Sequence, residues 1–135
     1  MFKKMILMTI AICVQNMAFA NTQVPLFLRG DMNNWDAKAI NQLVKVSTNT
    51  WMAKTELKAN KLVKFKFSDK KWKEKTTFGQ ANPEQKVVTD EKLAAGIGYQ
   101  WGDFKFTPSQ DAIYYFYLVL TDPEHPYVMV KNSAL

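Results

Sequence analysis

The clearest pattern in the chain is a strict alternation from Leu62 to Ser68. Val63, Phe65 and Phe67 fall on one side and Lys64, Lys66 and Ser68 on the other, the period of a strand with one buried and one wet face. Trp51 to Lys58 alternates in the same way, with Trp51, Ala53, Thr55 and Leu57 against Met52, Lys54, Glu56 and Lys58. Val24 to Arg29, Gln42 to Ser47, Asp103 to Thr107, Ala112 to Leu120 and Tyr127 to Lys131 read as further strands. In Ala112 to Leu120 the core face is expected to be Tyr114, Phe116 and Leu118. Ile113, Tyr115, Tyr117 and Val119 then lie on the opposite face, either covered or forming a partner surface. Turn residues separate the strands: Thr48-Asn49-Thr50, Ala59-Asn60, Asp69-Lys70-Lys71, Pro108 to Asp111 and Asp122 to Pro126. Asn60 tolerates a positive φ at its turn. Lys73 to Trp101 shows no period, contains Gly79, Pro83, Gly96 and Gly98, and is long for a loop in a small domain. Seven or eight short strands at regular spacing, with no long helix and no repeat, predict an all-β antiparallel sandwich.

The N-terminus has a different grammar. Lys3 and Lys4 precede an apolar run from Met5 to Val14, and Ala18-Phe19-Ala20 places small residues at a signal-peptidase site. The expectation is a signal peptide over residues 1–20, cleaved after Ala20, and one domain over residues 21–135, periplasmic or secreted. The apolar run is shorter than the ~20 residues a membrane span needs. Cys13 follows the bulky Ile12, whereas lipid attachment expects a small residue there. Cys13 is the only cysteine and leaves with the signal, so no disulfide is expected in the mature domain.

Charge and composition narrow the chemistry. The chain carries 18 Lys and Arg against 12 Asp and Glu, but its single arginine, Arg29, is unlike the arginine-rich makeup of a nucleic-acid site. The excess reads as solubility and a mild attraction to anionic surfaces. The lone histidine, His125, stands in a proline-flanked loop with no serine in a nucleophile-elbow setting, and no glycine-rich phosphate loop is present. No metal site, cofactor or catalytic residue is expected. Hydrolysis would require two carboxylates facing each other across a cleft.

Aromatic residues in polar settings stand out instead. Trp35 lies among Asn33, Asn34 and Asp36, Trp72 follows a charged turn, and Trp101 sits between Gln100 and Gly102. Each either folds back over the edge of the core or offers a flat face for sugar stacking. Asn33, Asn34, Lys66 and Asp103 are suited to bind hydroxyls. Half of an indole's ~150–250 Å² at ~25 cal/mol per Å² is about 2–3 kcal/mol per platform. Two platforms give a weak site, on the order of 0.1–1 mM, suited to a repeating polymer.

The residues also resemble a known family. Leu28-Arg29-Gly30-Asp31-Met32-Asn33-Asn34-Trp35 is similar to the "RGxMNxW" signature of pullulanase N-terminal modules and to "GSFNNW" in the glycogen-binding domains of AMP-activated kinase β-subunits. Phe65 to Trp72 followed by Phe78-Gly79 resembles "FKxADxxW…FG". Trp101 to Phe106 stands where the family has "GGNIxF", and Ala112 to Val130 resembles its closing strands. The resemblance implies an immunoglobulin-like (E-set) sandwich that binds α-1,4-linked glucan without cleaving it. It assigns stacking to Trp35 and Trp72 and hydroxyl binding to Lys66, with Asn34, Asp103 and Trp101 nearby. Asp103 replaces the family's asparagine and has acceptors only, and Asn60 and Ala112 replace glycines. No catalytic barrel follows, so the module is expected to stand alone. An exported protein-interaction domain, binding through Tyr115 and Tyr117, is the alternative.

Overall fold

The computed structural model describes residues 24–133; the expected signal peptide lies outside them. Nine strands follow in order: β1 Phe27–Gly30, β2 Val44–Ser47, β3 Thr50–Leu57, β4 Val63–Ser68, β5 Phe78–Gln80, β6 Leu93–Ile97, β7 Phe104–Phe106, β8 Ala112–Val119 and β9 Tyr127–Lys131. Single 3₁₀ turns occupy Asp31–Asn33, Ala39–Asn41 and Glu74–Thr76. The strands form a continuous antiparallel ribbon in the order β1-β4-β5-β6-β9-β8-β3-β2, with β7 also on β4. It folds into a β-sandwich because β6 changes layer. Its first half pairs β9, through Leu93 with Val128, and its second half pairs β5, through Gly96 with Gly79. One layer holds β1, β4, β5 and β7, the other β2, β3, β8 and β9.

The alternation read from the sequence fixes the inner faces. Phe65 and Phe67 of β4, Phe104 and Phe106 of β7, and Tyr114, Phe116 and Leu118 of β8 are all buried. Phe65 is the hinge pin of the core: it stacks on Phe104 at 5.1 Å and meets Phe116 of the other layer edge-on at 4.9 Å. Gly30 ends β1 because a Cβ there would run into the Lys64 carbonyl and the Phe65 side chain.

The seven strands expected from the pattern are present, shifted by up to three residues at their ends. Two more, β5 and β6, lie inside the stretch that reads as irregular. They are short, and each carries a glycine facing outward, which erases the apolar–polar period. Asn60 has φ 63°, as its turn requires. The outward side of β8 is uneven. Tyr117 is 2% exposed and Val119 is buried, whereas Tyr115 is half-buried and Ile113 is 46% exposed. Tyr115 and Tyr117 therefore do not form an exposed pair.

Phe65→Ala should cost about 3–5 kcal/mol, the range for truncating a buried Phe, read as a lower urea midpoint at unchanged slope. A loss below ~1 kcal/mol would remove Phe65 from this role.

Candidate functional site

The candidate site grows from one residue of β1. Leu28 points into the core opposite Phe67, so Arg29, one position on, points outward beside Lys66 of β4. Arg29 is nevertheless only 7% exposed. Its Nε donates to the Trp35 carbonyl at 2.8 Å, and one terminal nitrogen donates to the carbonyls of Asp69 at 2.8 Å and Lys70 at 3.1 Å. The guanidinium carbon lies 3.9 Å from the centre of the Trp72 ring, a cation–π contact that backs one face of the indole. Burial pushes the Arg29 pKa down, opposed by the nearby Asp36 and Asp69. One guanidinium thus ties together the two loops that carry the tryptophans.

Both tryptophans sit on left-handed backbone. Asn34, Trp35 and Trp72 have φ of 60°, 63° and 57°, a region that is uncommon for bulky residues and costs on the order of 1–3 kcal/mol each. Local hydrogen bonds hold them there. Trp35 N–H donates to the Gly30 carbonyl at 2.8 Å, and its indole Nε1 donates to Asp31 Oδ1 at 3.2 Å. Buried Asn33 accepts from the Gly30 N–H and donates to the Leu28 carbonyl and Asn41 Oδ1; Asn41 in turn donates to the Lys54 carbonyl of β3. The side chain of Asn33 is therefore committed to the scaffold, a correction to its place among hydroxyl-binding candidates. Asn34 is exposed.

Asp69 organises the second loop. Its carboxylate is 1% exposed and accepts from the Lys71 and Lys73 N–H groups at 3.0 and 2.8 Å and from the Thr76 hydroxyl at 2.8 Å. Burial by itself pushes the Asp69 pKa up. The Thr76 hydroxyl and the Lys73 and Lys71 N–H groups outweigh it and hold the group below its ordinary value.

The two indoles come together at 6.2 Å between ring centres, with their planes 40° apart, and both are half-buried. They form a bent platform rather than a coplanar one. Lys66 lies half-buried on the same face, next to Arg29 in the β1–β4 register. Asp103 directly precedes β7, one residue beyond the Phe65–Phe104 pair of the β4–β7 register. Trp101 reaches this layer too, but its ring lies on Gly96, where any Cβ would collide with the indole, while its Cβ and the Gly102 carbonyl cover the cross-strand partner Gly79. Its Nε1 donates to the Ile97 carbonyl at 3.1 Å. An aromatic side chain that shields paired glycines is a sheet-stabilising device, so Trp101 carries a structural duty alongside any contact it makes.

Three residues of this site escape the sequence reading. Arg29 and Asp69 act through the loops they tie, and nothing in their local sequence shows that. Tyr99 is 59% exposed and its hydroxyl donates to the Trp72 carbonyl at 2.5 Å. Its signal, an aromatic between Gly98 and Gln100, was of the same kind that marked the tryptophans.

His125 meets Asp122 at 2.9 Å in an exposed loop, where the hydrogen bond from His125 lowers the Asp122 pKa and raises that of His125. Among the described residues no three His, Cys, Asp or Glu side chains converge.

Two substitutions separate the roles of the braces. The folded pKa of Asp69 lies below its unfolded value, so its stabilisation is complete above the ordinary 3.8 and is lost as pH falls through the lower folded value. Asp69→Asn should cost about 1–3 kcal/mol at neutral pH and flatten the acid limb of the stability profile; an unchanged acid limb would count against this role. Arg29→Lys keeps the charge but not the fork. It should cost about 1.5–3 kcal/mol and weaken the near-ultraviolet circular dichroism of the coupled indoles, whereas wild-type spectra would remove the brace.

The fold is similar to that of a solved starch-binding domain, the ligand-induced structure of AmyP-SBD. The TM-score is 0.62 over 98% of this chain and 96% of that one, at 18% sequence identity. At that identity the likeness is one of fold. The chain matches no family model and no curated protein.

Proposed function

We propose that this domain binds α-glucan, without cleaving it, through the paired indoles of Trp35 and Trp72. The observation that carries the reading is their geometry: two half-buried rings 6.2 Å apart and tilted by 40°, each held on left-handed backbone. Strain of this kind persists where the surrounding structure over-determines it, and it concentrates at binding sites. Successive rings of an α-1,4-linked chain turn relative to one another and the chain curves, whereas a β-1,4 chain is a flat ribbon. A bent platform matches the curved chain. The apolar faces of two neighbouring glucoses cover the indoles, and Lys66, Asn34 and Asp103 lie within the same surface to meet hydroxyls. The starch-binding domain of similar fold supports the same reading.

The reading makes the domain a module for polymers. Each platform supplies about 2–3 kcal/mol, so single chains are held weakly and many repeats supply avidity. The signal-like pattern of residues 1–20 supports export, to the periplasm or beyond. The likeness to a starch-binding domain favours binding over hydrolysis. Tyr117 is buried, so the interaction reading built on Tyr115 and Tyr117 has less to stand on.

Affinity electrophoresis of residues 21–135 in gels containing amylopectin or glycogen tests the proposal. Retardation is expected, with an apparent Kd on the order of 0.1–1 mM in glucan-chain units. Trp35→Ala and Trp72→Ala should each weaken binding by about 30-fold or more, the equivalent of ~2 kcal/mol. Equal migration with and without glucan would overturn the proposal.

A further inference from the structure

The face that carries the platform also carries lysines whose charges the fold leaves unpaired. Val63, Phe65, Phe104 and Phe106 point inward, so Lys64 of β4 and Lys105 of β7, which are direct cross-strand partners, both point outward side by side. Like charges directly opposite each other on a sheet cost stability. The row extends. Val87 is buried and bridges Phe106 in parallel, which sets Lys86 beside Lys105 on the same outer face. Lys86, Lys105 and Lys64 therefore cross three neighbouring segments spaced by about 4.8 Å. Lys66 and Arg29 stand in the adjacent row.

Acidic residues reach this face as well, Asp36 and Asp69 beside Arg29 among them. Asp103 stands one residue beyond the Phe65–Phe104 pair, and Asp31 accepts from the Lys64 N–H through Oδ2 at 2.9 Å and from the Trp35 indole through Oδ1. Neither forms an ion pair with the lysines. The ion pairs of the described residues are Lys58–Asp111, Lys131–Asp90 and His125–Asp122, all elsewhere on the surface. Asp31 also fixes where the row begins, because one carboxylate joins the Trp35 ring to the backbone of Lys64. A glucan longer than the two stacked sugars would pass from the indoles onto the lysines.

We infer that this surface takes an α-glucan carrying anionic substituents, phosphate monoesters or carboxylates, with Lys64, Lys86 and Lys105 meeting the anions beside the stacked segment. The inference rests on the glucan-binding reading above and adds the charge of the substrate to it. A phosphate monoester carries about −1.5 to −2 charge near neutral pH, and a lysine ammonium suits it as a point charge that needs no fixed fork.

The test compares neutral amylopectin, chemically phosphorylated amylopectin and amylopectin oxidised to carry carboxylates, with inorganic polyphosphate as a polyanion without sugar. The expected result is retention by neutral amylopectin and about fivefold or more tighter binding to the anionic forms at low salt, with the gain fading toward ~0.5 M salt as screening shortens the reach of the charges. The phosphorylated and oxidised arms tell which anion supplies the gain. Lys64→Gln with Lys105→Gln should erase the gain and leave retention by neutral amylopectin unchanged. Lys105→Glu should erase it too while raising Tm, since it replaces a like pair with an opposite one. Equal binding to neutral and anionic glucans, a gain that survives the lysine substitutions, or polyphosphate binding as tightly as the anionic glucans overturns this inference and leaves the glucan reading standing. Loss of retention on neutral amylopectin overturns the glucan reading itself.

Discussion

The guanidinium of Arg29 occupies the point where two loops from different strands must be held at a fixed distance. It is nearly buried, and burying a charge is unfavourable unless its donors are satisfied and its charge is balanced. Three carbonyls from the Trp35 and Trp72 loops supply acceptors, and the Trp72 ring covers the flat face. The dependence runs both ways. Without these carbonyls the arginine has no reason to be inside, and without the arginine the carbonyls and the left-handed backbone of both tryptophans lose their common partner. No lysine reproduces this, because an ammonium cannot fork or stack flat against an indole.

The braces around Arg29 transmit the rigidity of the sandwich to an otherwise loop-built surface. Asn33 and Asn41 link the first loop to β1 and across to β3 of the other layer. Asp69 gathers the second loop around one buried carboxylate, and Tyr99 ties it to the turn that follows β6. Beneath them the aromatic core is continuous, from Phe104 through Phe65 to Phe116. A binding surface that is pre-set in this way loses little entropy when a flexible chain settles on it.

Departures from good local design gather on this one face. Trp35 and Trp72 hold backbone conformations that most side chains avoid, and Lys64 and Lys105 stand opposite each other where opposite charges would be more stable. The other face of β4 and β7, turned inward, is a stacked and edge-on aromatic core. Proteins concentrate such exceptions where something other than stability is selected.

How much of this was legible beforehand follows from the physics of each feature. The alternation of β4 and β8 depends only on neighbouring residues, so the sequence by itself determined seven of the nine strands, their inner faces and the all-β class. It also marked Trp35 and Trp72, because a large apolar ring among Asn, Asp and Lys conflicts with its surroundings at the level of a few residues. β5 and β6 stayed hidden, since outward-facing glycines that accept the Trp101 side chain remove the period that announces a strand. Tertiary structure alone decided that the two indoles meet at 6.2 Å and 40°, that Trp101 shields a sheet, and that Lys64 and Lys105 are neighbours. Each is a contact between segments far apart in the chain, set by strand register and by the reach of Arg29, and no local pattern encodes a distance across a sheet.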